Sequence, residues 1–277
     1  MIDNEKVALV TGSSRGIGFV TSITLARNGF LTYASMRNLD KEKEIRLVVD
    51  KEKIPLKTIQ LDVTDSNSVH NTIKSIMEQS GRIDVLVNNA GYGLVGAFEE
   101  LSVEEIKQQY ETNFFGVIRV TQAVLPIMRE QKSAIIVNIS SGAGRFGYPN
   151  GSAYVSTKFA LEGLSESMAY EVEPFGIKIV LVEPGFVRTN FSNVVAKKSQ
   201  SPTSQYSKMT EKMAASIDQM KVNSSSPELV ANVVLEAVTS KNPNLRYLAG
   251  KDVEQWMEQK KNMTDREFFN MIKQSLQ

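Results

Sequence analysis

The chain has 277 residues and no cysteine. A disulfide framework, a thiolate nucleophile and a Cys-ligated metal site are thereby excluded. There is a single histidine, His70, which is too few for a His-rich metal site and makes a Ser-His-Asp triad improbable. It follows "DVTDSNSV", a stretch that reads as the start of a helix, where an exposed position accounts for it. An excess of one charge is also missing: 32 Lys and Arg face 31 Asp and Glu, for a net charge of +1. That balance leaves no basic footprint for nucleic acid. No apolar stretch approaches the roughly 18 residues of a membrane span. The N-terminal "MIDNEKVALVTG" lacks the basic region and long apolar segment of a secretory signal. A cytoplasmic, reducing setting is expected, with a small molecule as the partner.

What is present is an alternation. Short apolar runs of strand length fall at 7–11, 31–36, 56–61, 83–88, 134–140 and 178–184, with a weaker one near 245–250. Between them, segments of helical period fall at about 16–28, 40–52, 66–80, 102–131, 152–174 and 227–240. Alternating runs of this kind mark βαβ units on a parallel sheet, and continuously apolar strands mark a sheet covered on both faces. No repeat or low-complexity linker divides the chain, so residues 1–277 read as one domain. The stretch 189–226 is the exception, polar and rich in Ser and Lys, with methionines at 209, 213 and 220. It reads as a long loop, and such loops inside compact α/β domains serve function or motion.

The first strand runs into "TGSSRGIG", which places Gly12, Gly16 and Gly18 at the head of a helix. The spacing differs from G-x-G-x-x-G, but the physical demands are alike: a tight strand-to-helix turn, a close approach to a pyrophosphate and close helix packing. The helix N-terminus offers free N–H groups and a positive dipole end to that phosphate. Enzymes that prefer NAD place an acid about 20 residues further on, against the ribose 2′-hydroxyl, whereas a cation suits the 2′-phosphate of NADP. Here the second strand ends in "ASMRN", so Arg37 stands where a carboxylate would, and Arg15 lies inside the glycine turn. Both point to NADP(H) as the cofactor.

Six motifs in one order, "TGSSRGIG", "NNAG", the Asn113 of "ETNFFG", "ISS", "YVSTK" and "PGFVRT", resemble those of the short-chain dehydrogenase/reductase family in its ordinary short-length branch. The resemblance covers roughly residues 5–190. It implies a doubly wound α/β Rossmann fold with a seven-stranded parallel sheet in the order 3-2-1-4-5-6-7, and an oxidoreductase that interconverts a carbonyl and an alcohol by hydride transfer. Tyr154 and Lys158 are four residues apart, hence on one helical face. By the resemblance Tyr154 is the proton donor and acceptor. A cation near its phenol favours the phenolate, so Lys158 is expected to lower its pKa and to bind the nicotinamide ribose. Ser141, 13 residues before Tyr154, is implied to hold the substrate oxygen, and Asn113 to complete a proton relay to Lys158 through water. The resemblance also assigns the cofactor contacts: Gly12, Ser14, Arg15, Gly16, Ile17 and Gly18 in the turn, Arg37 beyond the second strand, and Asp62 and Val63 beside the adenine. Asn89, Ala90 and Gly91 follow the fourth strand, and Pro184, Gly185, Val187 and Thr189 receive the carboxamide. A turn role for Asp62 stands beside the adenine role. No metal is required.

Around this set, "NNAGYGLVGAFEE", "GRFGYPNGSAY" and "PGFVRTNF" are similar to family members related to 17β-hydroxysteroid and retinol dehydrogenases. That similarity implies a lipophilic ketone or alcohol as substrate, with 189–226 as a lid. Arg145, Lys197 and Lys198 leave room for a 3-oxoacyl thioester, and a nucleotide-binding sensor or scaffold without chemistry is the alternative from another class. The amphipathic extension 251–277 suits packing on the body or on another subunit. The helices near 102–131 and 152–174 match those through which family members form homodimers and homotetramers.

Overall fold

Val7–Val10 are buried without exception, as befits an apolar run with helices on both sides. They form β1, the centre of a parallel sheet whose other strands are β2 (Leu31–Met36), β3 (Leu56–Gln60), β4 (Val85–Asn88), β6 (Ala134–Ile139), β7 (Ile177–Pro184) and β9 (Arg246–Ala249). The computed structural model describes residues 6–189, 196–197, 204–222 and 224–274. The seven strands lie in the order β3-β2-β1-β4-β6-β7-β9. With the short strands β5 (Leu94–Val95) and β8 (Ala196–Lys197) left out of the numbering, because they pair only with each other, this is the expected 3-2-1-4-5-6-7.

Helices cover both faces. α1 (Gly16–Arg27), α2 (Lys43–Glu52) and α8 (Pro227–Thr239) bury Leu25, Ile45 and Val234 on one side, while α3 (Ser66–Ser80), α5 (Gly116–Gln131) and α6 (Ser152–Val172) bury Ile76, Val124 and Met168 on the other. Several start where the sequence places a cap. Asp65 accepts from the amides of Asn67 and Ser68, Ser102 forms a capping box with Glu105 ahead of α4 (Val103–Tyr110), and Ser226 caps α8 with Pro227 in its first turn. His70 is exposed on α3.

The expected helix 102–131 is continuous in course but widens at Glu111–Phe115 into a π turn that carries Asn113. Such insertions recur at functional sites. The stretch read as a loop holds a helix, α7 (Ser207–Val222). Met213 is buried on it and Met209 half-buried; the side chain of Met220, residues 190–195 and Lys198 lie outside the described residues. The C-terminal extension forms α9 (Lys251–Asn262) and α10 (Asp265–Gln274), and it packs on the body. Phe146 meets Trp256 and Phe268 edge-on at 5.5 Å, and Phe186 meets Trp256 at 6.0 Å. Among the described residues no helix is long and apolar enough to cross a membrane.

Candidate active site

β2 and β3 lie on one side of β1, and β4 and the strands after it on the other. A crevice therefore opens beyond the carboxyl ends of β1 and β4, where open α/β sheets bind ligands. A cleft of about 1520 Å³ occupies this place. Every site residue expected from the sequence lines it except Gly18.

Gly18 lies just behind the wall and makes the wall possible. A β-carbon on it would stand 2.4 Å from Asn89 Nδ2 and 2.6 Å from the Gly12 carbonyl oxygen. Gly12 itself has φ +71°, and its missing β-carbon would lie 2.8 Å from Ala90 Cα, so the turn after β1 rests directly on the end of β4. Asn89 holds the two together, its Nδ2 donating to the Thr11 and Gly12 carbonyls at 2.9 and 3.2 Å. Thr11 Oγ1 accepts from the amides of Asn89 and Ala90. The result is a bare backbone cradle at the N-terminus of α1, a geometry that suits a phosphate. Arg15 and Arg37 are both exposed at the rim. Asp62 lines the cleft, and its Oδ1 also accepts from the Thr64 amide and hydroxyl at 2.9 and 2.7 Å. Both readings of this aspartate are compatible with its place.

The other half of the cleft gathers the polar set. Tyr154 and Lys158 rise from the first two turns of α6, and the Lys158 ammonium is 5.7 Å from the Tyr154 ring centre. Ser141, just after β6, hydrogen-bonds the Tyr154 phenol; its Oγ also accepts from the Ala143 amide at 3.1 Å. Lys158 is buried and donates to the Ile139 carbonyl at 2.8 Å. Desolvation pushes the Tyr154 phenol up to about 12, with the Ser141 hydrogen bond pulling only partly against it. Here burial of the phenol itself outweighs the lowering expected from Lys158, and desolvation also lowers the Lys158 ammonium, to about 8. Asn113 is buried, and its amide is taken up by the Tyr92 backbone and by Thr157 Oγ1 at 2.8 to 3.3 Å. Its side chain thus braces the loop after β4. Beneath the floor a polar ladder runs from Asn88 to Asn138 and on to Ser165, at 2.9 and 2.8 Å.

The Lys158 value carries a stability consequence. The folded protein releases this proton near pH 8 and the unfolded chain near 10.5, so the unfolded state binds more protons between these values and stability rises with pH there. Burying the cation costs on the order of 3 kcal/mol at neutral pH. Lys158→Met is expected to gain melting temperature relative to wild type at pH 7, and thermal melts should show that gain shrinking as pH approaches 10.

Tyr148, from the turn expected to shape the pocket, faces the cleft, and desolvation raises its phenol. Thr210, Met213 and Ile217 of α7, in the segment expected as a lid, also line it. Sequence reasoning missed the part of the lining that Trp256, Gln259, Met271 and Ile272 supply from α9 and α10. The helical spacing of Met209, Met213 and Ile217 was the available signal for α7.

The fold and this site define a dinucleotide-type α/β protein with a Ser-Tyr-Lys set at its switch point. The chain belongs to the short-chain dehydrogenase family, whose family model, described as "short chain dehydrogenase", matches residues 6–200, and it is an oxidoreductase of that family. It is 38% identical to oxidoreductase BOA17 of Botryotinia fuckeliana over 89% of each chain. It is 36% identical to the 3-ketodihydrosphingosine reductase of Bacteroides thetaiotaomicron over 88% of each. Identity to human 17-beta-hydroxysteroid dehydrogenase type 1 is 35% over 87% of this chain and 76% of that one. Among solved structures, a short-chain dehydrogenase from Streptomyces avermitilis superposes with a TM-score of 0.83 at 34% identity, covering 99% of this chain and 98% of that one. An alcohol dehydrogenase from Thermococcus sibiricus complexed with 5-hydroxy-NADP does so with 0.73 at 27%, covering 88% and 96%.

Proposed function

We propose that the protein is an NADP(H)-dependent oxidoreductase that interconverts a lipophilic ketone and its alcohol. The observation that carries this reading is the convergence of Ser141, Tyr154 and Lys158 on one cleft that also contains the glycine cradle. When bound, the nicotinamide supplies or accepts the hydride and, in its oxidised form, a positive charge. The protein does the rest. Tyr154, kept protonated by desolvation, gives its proton to the carbonyl oxygen as charge develops there, and takes it back in the reverse direction. Ser141, fixed by the Ala143 amide, holds the same oxygen, so two hydroxyls stabilise the alkoxide. Lys158 holds the ribose hydroxyls and supplies positive charge to the phenol. Asn113 stands behind the pair, where through an ordered water it would complete the proton path to Lys158.

The cradle fits a dinucleotide, since the close packing that shapes its bare backbone depends on glycine: a β-carbon on Gly12, Gly18 or Gly91 would press on Ala90, Asn89 or Asn113 Oδ1, the last at 3.1 Å. Arg37 and Arg15 favour the 2′-phosphate, because among the described residues no carboxylate pairs with either guanidinium. An Arg–phosphate contact is worth about 1.5–3 kcal/mol. Arg37→Ala should therefore weaken NADPH binding by about 10- to 100-fold and leave NADH binding nearly unchanged, as read by fluorescence titration. Equal losses for both cofactors would refute the assignment.

The lipophilic substrate is supported by the apolar part of the lining, to which Phe146, Phe186, Met213, Ile217, Trp256 and Ile272 contribute. The relatives named for a ketosphingosine and a hydroxysteroid support the same class. In this reading residues 1–277 form one domain, 189–226 is the lid and 251–277 the far wall. NADPH oxidation should rise from acetone through acetophenone to a long-chain alkyl methyl ketone and a steroid ketone. Turnover confined to acetone, or to none of them, would overturn this reading. Phe115, Phe159, Tyr170 and Phe175 are exposed around α5 and α6, which supports a homodimer or homotetramer built on those helices.

A further inference from the structure

Beside Ser141, Tyr154 and Lys158 lies a cluster of two buried carboxyls and two partly exposed guanidiniums that neither the hydride nor the proton step uses. The Glu183 side chain is 0% exposed and that of Glu162 8%. Arg145 Nη1 donates to both Glu183 oxygens at 3.0 and 3.3 Å. Arg246 Nε lies 2.9 Å from Glu162 Oε2 and 3.3 Å from Glu183 Oε1, and its Nη2 donates to Glu166 on the rim at 2.7 Å. Desolvation and the Glu162 charge push the Glu183 carboxyl up to about 7 against Arg145 and Arg246, and with both carboxyls ionised the two carboxylates and two guanidiniums at the centre sum to zero charge.

Each member stands next to a piece of the site. Arg145 follows the single helical turn Gly142–Gly144 that Ser141 caps. Glu162 lies one turn beyond Lys158 on α6, and Glu183 immediately precedes Pro184 on β7, whose carbonyl Ser141 Oγ approaches at 3.5 Å. Arg246 opens β9 and joins the two carboxylates. The serine turn presses directly on this group: a β-carbon on Gly144 would stand 2.9 Å from both Glu162 Cγ and Ser140 Oγ.

Buried ion pairs seldom repay their desolvation, and an apolar quartet of similar volume would hold the elements together at least as well. What the charges add is direction, because guanidinium–carboxylate contacts fix angle and register as well as distance. We propose that Arg145, Glu162, Glu183 and Arg246 are positioning residues that lock the Ser141 turn and the end of β7 against the Tyr154–Lys158 helix. This rests on the reading of Ser141, Tyr154 and Lys158 as the reacting set. Glu162 has a second effect, since its charge favours the Lys158 ammonium against desolvation. The groups facing this pair are Tyr154 and Glu166 from α6, Arg145 after the serine turn, Glu183 from β7 and Arg246 from β9.

The test uses full-length Arg145→Met, Arg145→Met/Glu183→Gln and Glu162→Gln, with NADPH and whichever ketone of the panel above is turned over fastest. Arg145→Met is expected to lower kcat by about 10²-fold, the cost of a misplacement near 1 Å, with KM for NADPH within about twofold. It should also lose melting temperature, because Glu183 is left buried with one cation fewer. The double variant should regain the melting temperature and keep the low kcat. Glu162→Gln should move the alkaline limb of kcat to lower pH by about half a unit or more. A kcat restored together with stability in the double variant would overturn the positioning role, as would wild-type kcat in all three variants or an unmoved alkaline limb. Tyr154→Phe separates the two levels. If it stays active, the reacting set is wrong. If it is dead while the cluster variants keep wild-type kcat, only the positioning role fails.

Discussion

Tyr154→Phe is expected to lower kcat by on the order of 10²–10⁴-fold, the usual contribution of a positioned general acid or base, and to leave NADPH affinity within about twofold. The structure explains why so small a change would cost so much. The phenol is pushed up to about 12 by desolvation, so at neutral pH it is a proton donor already in the protonated form, and phenylalanine offers no proton at all. The structure also explains why little else should change. Ser141 keeps the Ala143 amide when its contact with the phenol is lost, Lys158 keeps the Ile139 carbonyl, and the ring still fills the same space. Steady-state reduction of a long-chain methyl ketone, with NADPH fluorescence titration beside it, reads both halves. A variant that keeps more than about a tenth of wild-type kcat would remove Tyr154 from the reaction, because a lost acid cannot cost so little.

The sheet was legible in the sequence because its five inner strands are largely apolar runs buried along nearly their whole length, and the edge strands β3 and β9, only partly buried, keep the same alternation with helices. All seven expected strands form, with ends moved by no more than two residues. The polar set was legible for another reason: Ser141, Tyr154 and Lys158 hold fixed spacings along one turn and one helix, so local geometry carries them to the same cleft. The parts that escaped depend on contacts distant in sequence. α7 has an overall polar composition, and among its described side chains Met209, Met213 and Ile217 are the apolar ones that mark its inner face. Trp256, Gln259, Met271 and Ile272 reach the cleft because two C-terminal helices fold back over Phe146 and Phe186, and no spacing in the sequence announces that return. The burial of Glu162 and Glu183 escaped as well, since each is paired with an arginine that is remote in the chain. The electrostatic sign at Tyr154 was also out of reach. A cation four residues away argues for a lowered phenol, but its effect depends on how deeply both groups are buried, which spacing alone does not give.

Gly12→Ala is expected to abolish NADPH binding at concentrations up to about 100 times the wild-type Kd, equivalent to a loss of more than about 2.7 kcal/mol. Two costs meet at this position. The backbone has φ +71°, which an L-residue adopts at about 1–2 kcal/mol. The added β-carbon would also lie 2.8 Å from Ala90 Cα and 3.2 Å from its nitrogen, atoms of the main chain that cannot rotate away. Relief requires the turn after β1 to lift off the end of β4, which breaks the Asn89 bridge to the Thr11 and Gly12 carbonyls and moves the amides at the head of α1. Gly29→Ala isolates the first cost. Gly29 has φ +84°, nothing lies within 4 Å of its missing β-carbon, and it sits in the turn between α1 and β2, away from the cleft. That variant should lose a few degrees of melting temperature, about 2–4 °C per kcal/mol for a protein of this size, and bind NADPH as wild type does. Fluorescence titration of the two alanine variants side by side then separates strain from contact. If Gly12→Ala binds NADPH as tightly as Gly29→Ala, the turn is not the phosphate cradle, and the place of the dinucleotide in the cleft must be sought elsewhere along its wall.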